Sequence, residues 1–296
     1  MNDYMRLAVT GLTGQLVSAL IARAPKDVEI IALGRPQLEL SKRDAVLASL
    51  KALHCDALIN AAAYTAVDKA ESEPDLAMRV NGEGAGFVAE AAAVLDIPLL
   101  HLSTDYVFSG DLDRSYREDD QTSPTGAYGR SKLEGEKRIA AIHSNHVILR
   151  TAWLYSPYGA NFVKTMLRLG ETRDEVGVVS DQIGNPTSAL DIADALFLIS
   201  RRVIEDDASE LRGLFHMVGQ GDVSWADFAR AIFETARHHG RRETKVKPIT
   251  TADYPTPAKR PANSRLDTGK LKSLYGVSLP FWQASVESCV HQLLTN

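Results

Sequence analysis

Residues 6–22 read RLAVTGLTGQLVSALIA, a short apolar run followed by two glycines and then by apolar residues at helical spacing. The run 6–10 predicts a buried strand, and the pattern after Gly14 predicts a helix that continues through Ala22. Glycines in such a turn let the backbone approach a pyrophosphate, whose charge the free amides and positive dipole of the helix N-terminus hold. The alternative is an ordinary strand-to-helix turn that contains glycine.

The next segment predicts a second strand at Val28–Leu33, which ends in Gly34 and Arg35. A dinucleotide-binding fold places the residue that reads the adenosine ribose at this point. An acidic residue there would favour NAD, whereas the guanidinium of Arg35 suits a ribose 2′-phosphate. A solvated loop charge explains Arg35 about as well, so both interpretations stay open.

Strands and helices alternate through the first half of the chain. Further strands are predicted at Ala57–Asn60, 98–103, 146–150 and Glu175–Val179. Ser41 and Asp44 form a capping-box pattern that predicts a helix through Ala52. Pro74, which suits a first helical turn, predicts another helix to about Leu95. The alternation predicts an α/β fold with a doubly wound parallel sheet of the Rossmann type.

The alternating pattern loosens beyond about Thr172. Residues 1–172 are therefore predicted to form mainly an NAD(P)-binding Rossmann domain. Residues 173–296 are predicted to form mainly a smaller C-terminal substrate-binding lobe, interleaved with returns to the main sheet. This part of the chain contains a turn at 184–186, a capping-box pattern at Ser224 and Asp227, and a proline-rich loop at 254–261.

Composition and charge argue against several classes of function. The chain of 296 residues has a formal charge of -5 and no basic run longer than two residues, so it lacks the footprint of a nucleic-acid or membrane-surface protein. Cys55 and Cys289 have a spacing that supports neither a disulfide framework nor a zinc site. Because no signal-peptide pattern and no 18-residue apolar run occur, a cytoplasmic enzyme without membrane or nucleic-acid partners is expected.

A tyrosine and a lysine open a further helix within residues 123–137, SPTGAYGRSKLEGEK. Tyr128 and Lys132 are four residues apart, which places both side chains on one helix face. An ammonium beside a phenol favours the phenolate, so Lys132 is expected to lower the pKa of Tyr128. The alternative is that the pair decorates a surface helix, because such spacing also arises by chance.

The motifs occur in the order that one family requires: a glycine turn, a small-residue strand end, a polar strand end and the Tyr128–Lys132 pair. Together they resemble the extended short-chain dehydrogenase/reductases, whose catalytic set is Ser or Thr, Tyr and Lys. The strings NAAAYTAVDKAES at 60–72, LSTDYVF at 102–108 and RPANSRL at 260–266 narrow the resemblance to the dTDP-4-dehydrorhamnose reductase family.

The resemblance implies reduction by a nicotinamide coenzyme, NADPH or alternatively NADH, of the C4 ketone of dTDP-6-deoxy-L-lyxo-4-hexulose to give dTDP-L-rhamnose. In that reaction Tyr128 donates the proton, Lys132 assists it and Thr104 bonds the reacting oxygen. The residues expected to bind the coenzyme are Gly11, Thr13, Gly14, Gln15, Leu16, Arg35, Glu39, Leu40, Ala62, Ala63, Thr65, Leu102, Tyr128 and Lys132. Those expected to bind the substrate are Thr104, Asp105, Trp153, Arg260 and Asn263, although Trp153 also fits a core-packing role.

The sequence departs from the family pattern at three positions. Val17 stands where many extended members have a third glycine. Ala19 and Leu190 replace two of the glutamates with which some members hold a magnesium-linked dimer. We therefore expect no metal site and a monomer or weak homodimer, with possible functional coupling to the epimerase of the pathway.

Two rival functions stay open. A nucleotide-sugar epimerase or epimerase/reductase would share the Tyr128–Lys132 pair but could retain its coenzyme during turnover. A non-catalytic regulatory subunit, similar to the beta subunit of methionine adenosyltransferase, would share the fold. Intact Thr104, Tyr128 and Lys132 argue against the second.

Overall fold

A six-stranded parallel sheet forms the centre of the computed structural model, which describes residues 4–295. The strands of the chain are β1 (Met5–Thr10), β2 (Val28–Leu33), β3 (Ala57–Asn60), β4 (Leu99–Thr104), β5 (His146–Thr151), β6 (Leu154–Tyr155), β7 (Glu175–Val179), β8 (Ile183–Gly184), β9 (Thr187–Ser188), β10 (Gly213–His216), β11 (Val223–Ser224), β12 (Lys245–Ile249) and β13 (Asn263–Ser264). The order across the main sheet is β2-β1-β3-β4-β5-β10. The chain reverses direction across the sheet between β1 and β3, so their carboxyl ends form the crevice in which such folds bind ligands.

Helices cover both faces of this sheet. They are α1 (Gln15–Arg23), α2 (Arg43–Lys51), α3 (Val67–Ala70), α4 (Pro74–Ala77), α5 (Gly84–Leu95), α6 (Ala127–Ile142), α7 (Phe162–Gly170), α8 (Ala189–Glu205), α9 (Trp225–His238), α10 (Gly269–Tyr275) and α11 (Trp282–Thr295). Along β1, Leu7 and Val9 pack with α1 and α8, whereas Ala8 packs with α2, α5 and α6. This alternation follows from the two-residue period of a strand, and burial on both faces explains the nearly continuous apolar sequence of β1.

The predicted helix from Pro74 to Leu95 contains a π-helical segment, Met78–Glu83, between α4 and α5. Asn81 of this segment contacts two other parts of the same chain. Its amide nitrogen donates to the Tyr64 carbonyl and to the Ser131 hydroxyl of α6, each at 3.0 Å. Gly135 of α6 permits this approach, since a Cβ there would lie 2.3 Å from the Asn81 carbonyl oxygen. Asn81 thereby ties the Tyr64 loop to α6.

The C-terminal part of the chain builds a second apolar core. Side chains of α7, α9 and α11 pack there with β7, and β7 pairs with β12 in a separate two-stranded sheet. The predicted strand Glu175–Val179 is thus present but lies outside the main sheet. One later strand, β10, does return to the main sheet beside β5. The division of domains at Thr172 stays a prediction.

Two capping predictions have different outcomes. The predicted capping box at Ser41 is wrong, because α2 begins at Arg43 and the Ser41 hydroxyl donates instead to Glu39 Oε1 at 3.1 Å. Ser224 does cap α9, since its Oγ accepts a hydrogen bond from the Asp227 backbone amide at 3.0 Å. Within residues 4–295, none of the helices combines the length and apolarity needed to cross a bilayer.

Candidate active site

A cavity of about 1080 Å³ opens at the carboxyl ends of β1, β3 and β4. Its walls contain all the predicted site residues except Arg260 and Asn263. These wall residues are Gly11, Thr13, Gly14, Gln15, Leu16, Arg35, Glu39, Leu40, Ala62, Ala63, Thr65, Leu102, Thr104, Asp105, Tyr128, Lys132 and Trp153. Residues that are up to about 140 positions apart in sequence therefore share one space, as the parallel sheet requires.

The glycine turn forms one wall of the cavity. Gly11 has a φ of +108°, which side chains rarely adopt, and a Cβ there would lie 3.1 Å from Val17 Cγ2. Gly14 precedes α1 without a side-chain cap, and no atom of a non-adjacent residue in the described range lies within 4 Å of the position its Cβ would take. Val17, at the position of the missing third glycine, is buried in the core and also borders the cavity.

Residues after β2 form the far end of the cavity. Arg35 is exposed there, and its guanidinium has no hydrogen-bond partner among the described residues. Glu39 Oε1 accepts a hydrogen bond from the Ser41 hydroxyl at 3.1 Å, which directs the carboxylate toward its own loop. Gln15, at the start of α1, accepts from Ser156 and Asn161 at 2.9 Å each and so connects the turn to α7.

The start of α6 brings Tyr128 to the cavity beside the polar end of β4. The Thr104 hydroxyl donates to Asp105 Oδ1 at 3.1 Å and accepts from the Tyr106 amide at 3.2 Å. Burial, followed by the nearby Asp105 carboxyl, raises the pKa of Tyr128, and a hydrogen bond with Thr104 acts in the opposite direction. The expected lowering of this pKa is therefore wrong, and Lys132 is not among the groups that shift it.

Lys132 is buried one helical turn beyond Tyr128. Its Nζ donates to the Leu102 carbonyl at 2.6 Å and lies 3.3 Å from His101 Nε2, and no hydrogen bond joins it to the Tyr128 phenol. Burial lowers the pKa of Lys132 to about 8, while the charge of Glu136 opposes this shift. The amine is consequently held back from the phenol by the β4 backbone.

Asp105 and Trp153 are two further residues of the cavity wall. Asp105 is buried, and its Oδ2 has no hydrogen-bond partner within residues 4–295. Burial raises the pKa of Asp105 to about 6, while the hydroxyls of Ser264 and Thr104 act in the opposite direction. Trp153 has a φ of +48° and stacks on Trp225 with ring centroids 3.6 Å apart. Gly184 makes room for the indole, because a Cβ there would lie 2.5 Å from Trp153 Cε2.

The structure places Arg260 and Asn263 outside the cavity wall. Arg260 Nη2 donates to Asp68 Oδ2 at 2.7 Å, and its Nη1 donates to the Tyr106 hydroxyl at 3.2 Å. Asn263 is buried in β13, where its amide nitrogen donates to the carbonyls of Leu112 and Arg114. Arg260 is connected to the site through Tyr106, whereas Asn263 holds the 112–114 loop.

Tyr106 in the cavity wall and the buried Glu136 were not among the site residues predicted from the sequence. Tyr106 lies in the cavity wall with its ring edge-on to Tyr128, the centroids being 5.5 Å apart. Below the cavity, Glu136 forms a buried ion pair with Arg150 at 2.6 Å and accepts from Ser103 at 2.5 Å. Tyr106 directly follows Asp105, and Glu136 follows Lys132 by four residues, so adjacency and helical spacing were the available signals.

The positions proposed for magnesium ligands in other family members are apolar here. Ala19 is fully buried in the core, and Leu190 packs against the same cluster. In the described range 4–295, no group of three or more His, Cys, Asp or Glu residues is arranged to hold a metal ion. Independence from magnesium stays a prediction.

A parallel doubly wound sheet, a glycine turn and a Tyr128–Lys132 pair in one cavity define an oxidoreductase of the extended short-chain dehydrogenase/reductase class. The family model described as RmlD substrate binding domain matches residues 5–295. The dTDP-4-dehydrorhamnose reductase of Sinorhizobium fredii is 52% identical over 290 residues, which cover 98% of each chain. The chain therefore belongs to the RmlD family of dTDP-4-dehydrorhamnose reductases.

Solved structures agree with this assignment. The dTDP-4-dehydrorhamnose reductase of Clostridium acetobutylicum superposes with a TM-score of 0.90 at 38% identity, covering 98% of this chain and 99% of that chain. The reductase of Bacillus anthracis in complex with NADP gives a TM-score of 0.89 at 35% identity, with the same coverage. Similarity over nearly the whole of both chains extends to the C-terminal part as well as the main sheet.

Proposed function

We propose that the protein is an NADPH- or NADH-dependent dTDP-4-dehydrorhamnose reductase. In this proposal it reduces the C4 ketone of dTDP-6-deoxy-L-lyxo-4-hexulose to the alcohol of dTDP-L-rhamnose. The observation that carries the proposal is the single cavity that joins the glycine turn to Thr104, Tyr128 and Lys132. The names of relatives that are 38–52% identical over nearly the whole chain support the choice of substrate.

The glycine-turn end of the cavity fits a dinucleotide. The positive φ of Gly11 and the empty space around Gly14 leave a cradle that larger side chains would fill. The amides at the start of α1 and the positive end of its dipole favour a bound pyrophosphate. The small side chains of Ala62 and Ala63 leave room at the end of β3 for the nicotinamide half. When bound, the coenzyme supplies the hydride.

The proton chemistry is assigned to three side chains. Tyr128 donates its phenolic proton to the C4 oxygen, on which negative charge develops as the carbonyl is reduced. Its raised pKa keeps the phenol protonated until that charge appears. Thr104 holds the same oxygen by a hydrogen bond, and Lys132 stabilises the resulting phenolate through its charge. The proton returned to Tyr128 after each turnover comes ultimately from solvent.

The remaining polar groups are proposed to recognise the nucleotide sugar. Asp105 Oδ2, which is buried without a partner, can accept a hydroxyl hydrogen bond from the hexose. Trp153 offers a ring face held rigidly by Trp225. Arg260 is proposed to bind the nucleotide diphosphate by leaving Asp68, and Asn263 supports it indirectly by fixing β13.

NADPH is the proposed preferred coenzyme. Arg35 is exposed at the end of the cavity that follows β2, where its guanidinium can pair with a ribose 2′-phosphate. The Glu39 carboxylate, which could repel that phosphate, is partly engaged by Ser41. The relative from Bacillus anthracis was crystallised with NADP.

The test is a coupled assay with purified protein, a dTDP-4-keto-6-deoxy sugar, the pathway epimerase and either NADPH or NADH. Loss of absorbance at the nicotinamide band, together with stoichiometric dTDP-L-rhamnose identified by NMR, would support the proposal. Interconversion of sugars without net oxidation of the coenzyme would indicate an epimerase. No turnover together with tight binding to a methionine adenosyltransferase would indicate a regulatory subunit.

A further inference from the structure

A chain of buried hydrogen bonds runs below the cavity and ends at Lys132. It begins at Thr10 on β1, continues through Asn60 on β3 and His101 on β4, and reaches Lys132 Nζ over distances of 2.7, 2.9 and 3.3 Å. None of the four residues exposes more than 2% of its surface. The reaction as proposed above uses only Lys132. We call Thr10, Asn60 and His101 the β-strand relay.

The polarity of the β-strand relay is set at Thr10. Its hydroxyl oxygen accepts hydrogen bonds from the backbone amides of Ala61 and Ala62 at 3.1 and 3.0 Å. A hydroxyl has two lone pairs and one proton, so after these two bonds Thr10 can only donate. It donates to Asn60 Oδ1 at 2.7 Å, and the amide nitrogen of Asn60 therefore faces His101.

The tautomer of His101 follows from this polarity. Asn60 Nδ2 donates to His101 Nδ1 at 2.9 Å, so Nδ1 carries no proton. Burial, followed by the charge of Lys132, holds the pKa of His101 well below its ordinary value, so the ring is neutral and its one proton is on Nε2. That N–H is directed at Lys132 Nζ. A neutral amine can accept it, whereas an ammonium has no lone pair.

We propose that His101 is a positioning residue whose Nε2–H favours the neutral amine of Lys132 over the ammonium, and that coenzyme binding reverses this preference and adds a solvent proton to the Lys132 amine. The proposal deepens the proposed function and rests on it for the identity of the coenzyme. The bound coenzyme would carry ribose hydroxyl oxygens, and Lys132, which lines the cavity, would donate to them as an ammonium and so lose the preference imposed by His101. At a pH above about 8 the charge on Lys132 therefore appears when the coenzyme binds, before the phenolate of Tyr128 forms.

Other charged or titratable groups around the β-strand relay do not remove the preference of Lys132 for the neutral amine. They are Tyr128 and Glu136 on α6, Asp105 after β4, and His146 and Arg150 on β5. Glu136 favours the ammonium, but its carboxylate is held in a buried ion pair with Arg150. The π-helical segment forms a hydrogen bond with α6 from the Asn81 amide nitrogen to the Ser131 hydroxyl, and neither of these groups is charged. Burial lowers the pKa of Lys132 to about 8 and acts in the same direction as the relay.

The experiment measures proton uptake when NADPH binds, by isothermal titration calorimetry in buffers with different ionisation enthalpies. At about pH 9 the wild-type protein is expected to take up close to one proton per site, and the uptake should fall as the pH is lowered toward 7. The 2′-phosphate of NADPH titrates near pH 6 and does not contribute in this range. Because no sugar substrate is present, the readout does not depend on turnover.

Asn60→Asp reverses the polarity of the relay. The carboxylate accepts from both Thr10 and His101 Nδ1, which moves the imidazole lone pair to Nε2 and allows it to accept from the Lys132 ammonium. Uptake at about pH 9 should then fall at least fivefold, because Lys132 is already charged before binding. Lys132→Met should abolish uptake, and Tyr128→Phe should retain it, which locates the proton on the lysine.

His143→Gln is the matched control. His143 is also a buried histidine, but its Nε2 contacts the Ile97 carbonyl and not Lys132, so uptake should equal that of wild type. If Asn60→Asp does not fold, Thr10→Val deletes the hydroxyl that sets the polarity and should reduce uptake. No uptake by wild type, unchanged uptake in the folded Asn60→Asp or Thr10→Val variant, or full uptake in Lys132→Met would overturn the proposal.

Turnover of the dTDP-4-keto sugar is measured on the same wild-type preparation. Uptake without turnover would refute the proposed function and leave the role of His101 supported. Turnover without uptake would refute the role of His101 and leave the reductase function supported.

Discussion

Glu71 caps the helix that carries Tyr128, because its Oε1 accepts a hydrogen bond from the Ala127 backbone amide at 2.7 Å. The N-cap residue of that helix is Gly126, which has no side chain for the purpose. The carboxylate also lies at the positive end of the helix dipole, where negative charge is stabilising. A residue directly after α3 thus fixes the position of the proposed proton donor.

Glu71→Ala is expected to lower the free energy of unfolding by about 1 kcal/mol, the usual effect of losing an N-cap. The first turn of α6 should become less ordered, so we also expect kcat to fall roughly tenfold, equivalent to about 1.4 kcal/mol. Urea unfolding and steady-state rates check both effects. Glu287→Ala, on the exposed face of α11, is the control. Equal stability and rates in the two variants would show that the cap is unimportant.

Tyr128→Phe is expected to lower kcat by roughly 10²–10⁴-fold, because it deletes the proposed acid, and to leave the Kd for coenzyme nearly unchanged. Lys132→Met should impair both quantities. Tyr4→Phe, an exposed position outside the cavity, serves as the control. Near-normal kcat in Tyr128→Phe at neutral pH would exclude the phenol as the proton donor.

Arg35→Ala is expected to raise the KM for NADPH about tenfold and to leave the KM for NADH unchanged, since a charge-assisted hydrogen bond is worth roughly 1.5–3 kcal/mol. Lys26→Ala removes an equal charge from the opposite end of β2 and should alter neither KM. Steady-state kinetics with each coenzyme give the comparison. A wild-type enzyme that uses both coenzymes equally, with no change in Arg35→Ala, would refute the preference for NADPH.

Asp105 is expected to make stability depend on pH. Burial raises its pKa from 3.8 to about 6, so between these values the folded state binds more protons than the unfolded state. The free energy of unfolding should therefore fall as the pH rises through this window, by about 3 kcal/mol in total. Chemical denaturation between about pH 4 and pH 7 measures the slope.

Asp105→Asn should flatten that slope and raise stability at neutral pH by about 1–2 kcal/mol, because the amide carries no charge but still leaves a buried polar atom. The same variant should lose activity if Asp105 binds the sugar. Asp111→Asn, in an exposed loop, is the control and should follow wild type. An unchanged slope in Asp105→Asn would assign the pH dependence to other groups.

Treatment with EDTA is expected to change neither the rate nor the mass of the protein in solution. A hard divalent cation is usually held through carboxylates, and Ala19 and Leu190 provide none at the positions where some family members have glutamate. A rate assay and light scattering before and after treatment check this. Loss of activity or a change of mass that magnesium specifically restores would show that other carboxylates, such as Asp191 or Glu287, bind the ion.

The amino-acid sequence alone was sufficient to predict the strand, turn and helix units of the main sheet. The predicted bounds of β2, β3 and β7 agree with the structure, because short apolar runs between turn residues have few alternative conformations. It also determined most of the cavity wall. The carboxyl ends of parallel strands share one edge, so Gly11, Ala62 and Thr104 had to lie close together once the sheet was recognised.

The hydrogen-bond partners of individual polar groups depend on the folded arrangement of the chain and could not be predicted from local sequence. The capping box at Ser41 failed because α2 begins at Arg43, which makes Lys42 the N-cap residue, and Asn263 donates to the 112–114 loop and does not line the cavity. The return of β10 to the main sheet was expected only in general terms, since pairing between distant segments leaves no local pattern.

The pKa values at the site depend most strongly on tertiary structure. Helical spacing alone predicted that Lys132 would lower the pKa of Tyr128, yet Lys132 Nζ donates instead to the Leu102 carbonyl, and burial raises the pKa of Tyr128. Spacing along a helix specifies which face a residue occupies. The state of a proton depends on desolvation and on every nearby donor and acceptor, including those on β1, β3 and β4, which meet only after the chain has folded.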